Sequence, residues 1–127
     1  MLDSADLVSF VGVSDLDRAQ HFYGDRLGLL LSDERPFALV AERAGTMLRI
    51  TAVDNVSPVS HTVLGWSVSD LDAMVDRLVA RGVTFARYEA MDQDERGVWT
   101  APGGSRIAWF LDPDGNILSL TEFASLG

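Results

Sequence analysis

The chain carries few groups with which to make or break covalent bonds. It has no cysteine in 127 residues, which removes disulfides, thiolate nucleophiles and cysteine metal sites. Its two histidines are His21 and His61, and no pair of histidines or carboxylates recurs at metal-ligand spacing. Ser67 and Ser119 have no base-and-acid arrangement behind them, so neither reads as an activated nucleophile. Gly103 and Gly104 form a turn, as does the Asp-Pro-Asp-Gly-Asn run at 112–116. Neither opens a helix, so neither is a phosphate cradle. Arg49 is the most informative single residue. A guanidinium there suits bidentate binding of a carboxylate, phosphate or enolate. It suits equally a structural ion pair with a nearby acid, or a contact with another subunit. For His61, a solvated position at the end of a linker is the simpler expectation, and a general base is the sharper one.

The elements that must position these groups are set by a repeat. Val-Ser-Asp-Leu-Asp occurs at 13–17 and again at 68–72, an offset of 55 residues. Before each copy runs an alternating apolar stretch, as in a strand. After each copy apolar residues fall at helical spacing: Leu16, Ala19, Phe22 and Tyr23, then Leu71, Met74, Val75 and Leu78. Asp15 and Asp70 sit where N-caps belong. The first helix is expected over 16–26, with Gly24 weakening its last turn. The second is expected over 71–81, with Gly82 as its stop. Strands are expected at 7–13, 29–32, 37–43 and 46–53, with Ala44 and Gly45 as a tight hairpin. After a linker at 54–60 they are expected at 62–68, 83–89, 98–101, 106–111 and 117–123, with a charged loop at 92–96. The reading is one α+β unit over 1–127, made of module 7–53, linker 54–60 and module 61–123.

Composition narrows the partners. The formal net charge is −9 and the pI near 4.4, so the surface repels phosphate backbones and anionic lipid. Nucleic acid and membrane are not expected partners. No apolar run approaches the ~20 residues of a membrane helix. The acidic N-terminal stretch shows no signal-peptide pattern, so the expected location is cytoplasmic. All ten basic residues are arginine, which points to a high-GC, bacterial genome. The acidity suits a cationic ligand or simply solubility.

The pattern V-S-D-L-D-R-A-x-x-F-Y at 13–23, with F-L-D-P-D-G-N-I-L-S-L at 110–120, resembles the vicinal oxygen chelate superfamily. This is the glyoxalase, bleomycin-resistance and extradiol-dioxygenase group. The resemblance covers nearly the whole chain. It implies two βαβββ modules forming a half-open curved sheet with the site on its concave face, and a homodimer. It does not imply one reaction, because the fold serves isomerases, lyases, dioxygenases, transferases and drug-sequestering proteins. Catalytic members hold a divalent metal with His or Glu at positions that here carry Val8, Arg49, Val63 and Ser119. Valine has no lone pair, arginine repels a cation, and serine alone is weak. The expectation is therefore no metal and no cofactor.

By strand parity, the implied concave face is lined by Phe10, Met47, Arg49, Thr51, His61, Val63, Ser67 and Ser119, with Gly12, Gly65 and Thr121 among them. Trp109 and Trp99 lie near the rim, on sides that parity does not fix; Trp66 belongs under the second helix. Such a lining suits an organic molecule with one polar or anionic anchor. The resulting reading is a metal-free small-molecule binder in a drug- or toxin-sequestering, antibiotic-resistance role, with no catalytic residue assigned. The alternatives are a lyase or isomerase using Arg49 and His61 without metal, a metal-dependent glyoxalase- or dioxygenase-like enzyme with displaced ligands, and a regulatory module without turnover.

Overall fold

Each copy of the repeated pentapeptide converts a strand into a helix. The computed structural model describes residues 1–125, which fall into two units divided between Ser57 and Pro58. In the first unit, a short 3-10 turn at Leu2–Ser4 leads into β1, Leu7–Val13. Asp15 leaves the strand in an extended conformation, and its carboxylate accepts the Arg18 N–H at 3.1 Å. That bond satisfies one of the donors a helix start leaves open. The helix α1 then runs as an α-helix only over Leu16–Ala19. From Gln20–Arg26 it continues as a wider, π-helical segment, with the Leu27 N–H donating to the Phe22 carbonyl at 2.9 Å. The expected extent is met, but the expected uniform α geometry is not. The wider turn brings consecutive side chains nearer to one face, and both Phe22 and Tyr23 are buried.

Three strands follow: β2 at Ser32–Glu34, β3 at Ala38–Arg43 and β4 at Thr46–Ala52. The first begins later than the expected 29–32. The reason lies in the helix end: Gly28 has φ +78°, and the Leu29 N–H is taken by the Tyr23 carbonyl at 3.0 Å. Ala44 and Gly45 have φ of 49° and 80° between the paired residues Arg43 and Thr46. Two positive-φ residues in a two-residue loop are the I′ hairpin geometry that matches strand twist. The strand order is β1-β4-β3-β2, with β1 parallel to β4 and the rest antiparallel. Val11, Val13, Leu39, Leu48 and Ile50 are buried together with Ala19, Phe22 and Tyr23. Each large one is worth roughly 1.5–3 kcal/mol of transfer free energy.

The second unit repeats the plan. β5 is Thr62–Ser67, and α2 is Leu71–Ala80, with the Asp70 carboxylate accepting the Ala73 N–H at 3.1 Å. Gly82, at φ +93°, ends the helix. β6 (Trp99–Thr100), β7 (Arg106–Leu111) and β8 (Ile117–Glu122) complete the order β5-β8-β7-β6. Leu71, Val75 and Leu78 of the helix and Ala108, Phe110, Leu118 and Leu120 of the sheet are buried. Trp66 stacks on Phe110 at 6.4 Å, in the core role its parity suggested.

The expected strand at 83–89 does not form. Only Phe85 bridges to Phe110, and the Ala86 N–H reaches the Trp109 carbonyl at 2.8 Å. The backbone then leaves the sheet, where the Tyr88 N–H is captured by Gln93 Oε1 at 2.7 Å. Without it, each unit has one strand, one helix and three strands. The charged loop at 92–96 is tied down. Arg96 forks onto Asp76 of α2 at 2.9 and 3.0 Å, and Asp94 accepts the Arg96 and Val98 N–H groups, both at 2.9 Å.

Candidate functional site

The face of each sheet that does not pack on its helix carries the sequence-selected residues. In the first unit, β4 is flanked by β1 and β3, so its alternate residues have neighbours on both sides. Met47 pairs with Val8 and Glu42, Arg49 with Phe10 and Val40, and Thr51 with Gly12 and Ala38. Leu48 and Ile50 of the same strand are buried toward the helix, so Met47, Arg49 and Thr51 share the opposite face. Phe10 is 64% exposed. Arg49 Nη2 stands 3.6 Å from Glu34 Oε1, beyond hydrogen-bond length and within ion-pair range. The partner is a glutamate on the edge strand β2, a residue the sequence reading did not single out. A partly exposed pair of this length is weak, and it leaves the Arg49 guanidinium without a hydrogen bond among the described residues.

In the second unit, Ser119 pairs with Gly65 on one side and Trp109 on the other, and Thr121 with Ser67 and Ile107. The register of β5 shifts between Thr62 and Leu64, as in a bulge. Thr62 thereby pairs with Ile117, two residues from Ser119, and takes a place on the Ser119 face. Its hydroxyl accepts the Trp109 indole N–H at 3.2 Å. The parity count that put His61 and Val63 on this face does not carry through the bulge. Val63 is left without a ladder partner, and His61 lies exposed before the strand. The side of the tryptophans is now fixed. Trp109 is on the Ser119 face, edge-on to Tyr88 at 5.8 Å and 85°, and tilted against Trp99 at 6.2 Å. Tyr88 was missed because its segment was read as a strand, and Thr62 because nothing in the sequence announces the bulge.

The fit to a metal is poor on donor chemistry. Val8 and Val63 offer nothing, Arg49 is cationic, and Ser119 has a lone hydroxyl. Among the described residues no three His, Asp or Glu side chains come together at metal-binding range. His21 pairs with Asp25 at 2.9 Å on the exposed helix surface. The carboxylates held below their ordinary range lie elsewhere, each beside an arginine. Hydrogen bonds from Arg35 lower Asp33, the Arg106 guanidinium lowers Asp72, and the Arg96 guanidinium lowers Asp76. These groups join elements to one another and are not on the faces described above.

The architecture has counterparts among solved structures. A member of the Glyoxalase/bleomycin resistance protein/dioxygenase superfamily from Sphaerobacter thermophilus DSM 20745 is 25% identical to this chain with a TM-score of 0.73, covering 97% of this chain and 100% of that one. TnmS3, an antibiotic binding protein from Streptomyces sp. CB03234, is 28% identical with a TM-score of 0.73, covering 98% and 99%. Lactoylglutathione lyase from Agrobacterium tumefaciens shares the fold at 20% identity and a TM-score of 0.70, covering 94% and 93%. No curated protein matches the sequence. The Glyoxalase/Bleomycin resistance protein/Dioxygenase family model matches residues 6–120. With two βαβββ units, their parallel β1–β4 and β5–β8 pairings and a family match over most of its length, the chain belongs to the Glyoxalase/Bleomycin resistance protein/Dioxygenase superfamily.

Proposed function

We propose that this protein binds a small organic molecule and sequesters it unchanged, in a drug- or toxin-resistance role, without a metal. The observation that carries the reading is residue type: the positions that the family resemblance assigns to the ion's ligands carry Val8, Arg49, Val63 and Ser119, of which only serine offers a lone pair, and a weak one. The open face of each sheet offers apolar and aromatic surface with a few hydroxyls, which suits burial of an organic ligand at about 25 cal/mol per Å². The antibiotic-binding relative at 28% identity supports binding over turnover. Arg49, held only loosely by Glu34 at 3.6 Å, serves as the anchor for ligands that carry a carboxylate.

Thermal-shift measurement across a panel of antibiotics and small carboxylates tests this. The expected result is a raised Tm for some compounds, the same shift after EDTA treatment, and recovery of each compound intact by mass spectrometry. A stoichiometric bound metal with the shift lost on chelation, or a converted product, overturns it. Arg49→Ala is expected to weaken carboxylate-bearing ligands about tenfold, as for loss of a charge-assisted pair. Unchanged affinity would leave Arg49 as a partner of Glu34 alone.

A further inference from the structure

We infer that the Ser119 face of the second unit is a subsite for a neutral planar aromatic group bearing a hydrogen-bonding oxygen, a phenol or an aryl carbonyl. The inference rests on the binding reading above and names the ligand chemistry. Ser119 is only 8% exposed, yet its hydroxyl makes no hydrogen bond with any described side chain or backbone group. Among the described residues no side-chain polar atom is both fully enclosed and unpartnered, so this oxygen is still reachable from the surface. A reachable hydroxyl with no protein partner is open to water or to a ligand oxygen that takes the water's place.

The neighbours on both flanks define which ligand that is. On the β5 side stands Gly65, where a Cβ would come within 2.5 Å of Ser119 Oγ. The absence of a side chain at this position gives the hydroxyl its room. On the β7 side stands Trp109. Its ring is fixed at the edge by Thr62, at 3.2 Å, and braced by Tyr88 and Trp99. An indole already held in place loses little freedom when a ring stacks on it. None of these six residues carries a formal charge at neutral pH. A flat, uncharged ring laid on Trp109 with its oxygen at Ser119 uses both the braced indole face and the unpartnered hydroxyl beside it.

Amide and indole N–H spectra of the intact protein test the assignment with p-cresol, toluene and cyclohexanol as probes. The chain has three tryptophans, and Trp66, stacked in the core on Phe110, is an internal control. p-Cresol is expected to move the Trp99 and Trp109 indole signals and leave Trp66 in place. It should bind about five-fold more tightly than toluene, the net worth of one neutral hydrogen bond, while cyclohexanol leaves both signals unmoved. Ser119→Ala is expected to erase that preference and retain toluene affinity; Trp109→Leu is expected to weaken both probes. If Ser119→Ala melts early, the wild-type comparison of p-cresol with toluene decides. Equal binding of those two by the wild type, or unmoved Trp99 and Trp109 signals, overturns the subsite. A drug that raises Tm without moving either signal would overturn the subsite and retain the binding function. p-Cresol binding with no drug bound would do the reverse.

Discussion

Gly65 lacks a side chain because Ser119 occupies the space one would need. A Cβ there meets Ser119 Oγ at 2.5 Å and the Ser119 carbonyl oxygen at 3.2 Å. The hydroxyl can rotate away; the carbonyl is held by the ladder and cannot. Gly65→Ala is therefore expected to cost ~1–3 kcal/mol by overpacking, read as a lower urea midpoint. Adding Ser119→Ala should restore part of that loss and not all of it, since only one of the two clashes is removed. Ala44 poses the opposite problem. Its φ of 49° lies in the left-handed region, which costs an L-residue with a Cβ roughly 1–2 kcal/mol. Asparagine tolerates that region and is favoured at this place in a I′ turn. Ala44→Asn is expected to stabilise by ~0.5–1 kcal/mol, measured as a raised Tm with an unchanged fold. The sequence reading located this hairpin from its glycine, but nothing in an Ala-Gly pair shows that the alanine is the strained member.

At the scale of elements, the caps and the arginine bridges hold the second unit's helix to its sheet. Arg106 of β7 forks onto Asp72 of α2 at 2.8 and 3.3 Å, and Glu122 of β8 accepts the Leu71 N–H at 3.0 Å. The Arg106 hydrogen bond holds the Asp72 carboxyl below its ordinary 3.8. A lowered carboxyl binds fewer protons folded than unfolded, so its contribution is complete above the unfolded value. It is lost as pH falls through the lowered folded value. Urea unfolding from pH 6 down to pH 3 is expected to show stability falling below about pH 4, and Arg106→Ala should flatten that limb. An unchanged limb would assign the acid sensitivity to other carboxylates. Asp70→Ala removes the cap on Ala73 and is expected to cost ~1 kcal/mol, with Asp70→Ser recovering most of it. Asp15 and Asp70 were both legible as caps, because an Asp before an apolar helical pattern has one local use. The outcome at 83–89 was not legible, since its apolar residues fit a sheet edge that Gln93 and the turn at 89–90 divert.

For the molecule as a whole, charge dominates solution behaviour. With a formal net charge of −9 and a pI near 4.4, self-repulsion disappears while the bridged carboxylates, held below 3.8, still carry their charge. Turbidity at fixed concentration is expected to peak near pH 4.4 and to clear above pH 6. The same charge should leave the protein unretained on duplex DNA at any salt concentration.

The sequence by itself determined the duplicated strand-to-helix plan, the two caps, the helix-facing core and the lack of any cysteine. These depend on local periodicity and on residue type, which need no third dimension to be read. Only the tertiary structure decided that Arg49 meets Glu34, that a bulge puts Thr62 and not His61 beside Trp109, and that Tyr88 and Trp99 brace that ring. Those facts depend on strand register and on one extra residue in a ladder, and a one-residue slip turns every following side chain to the other face.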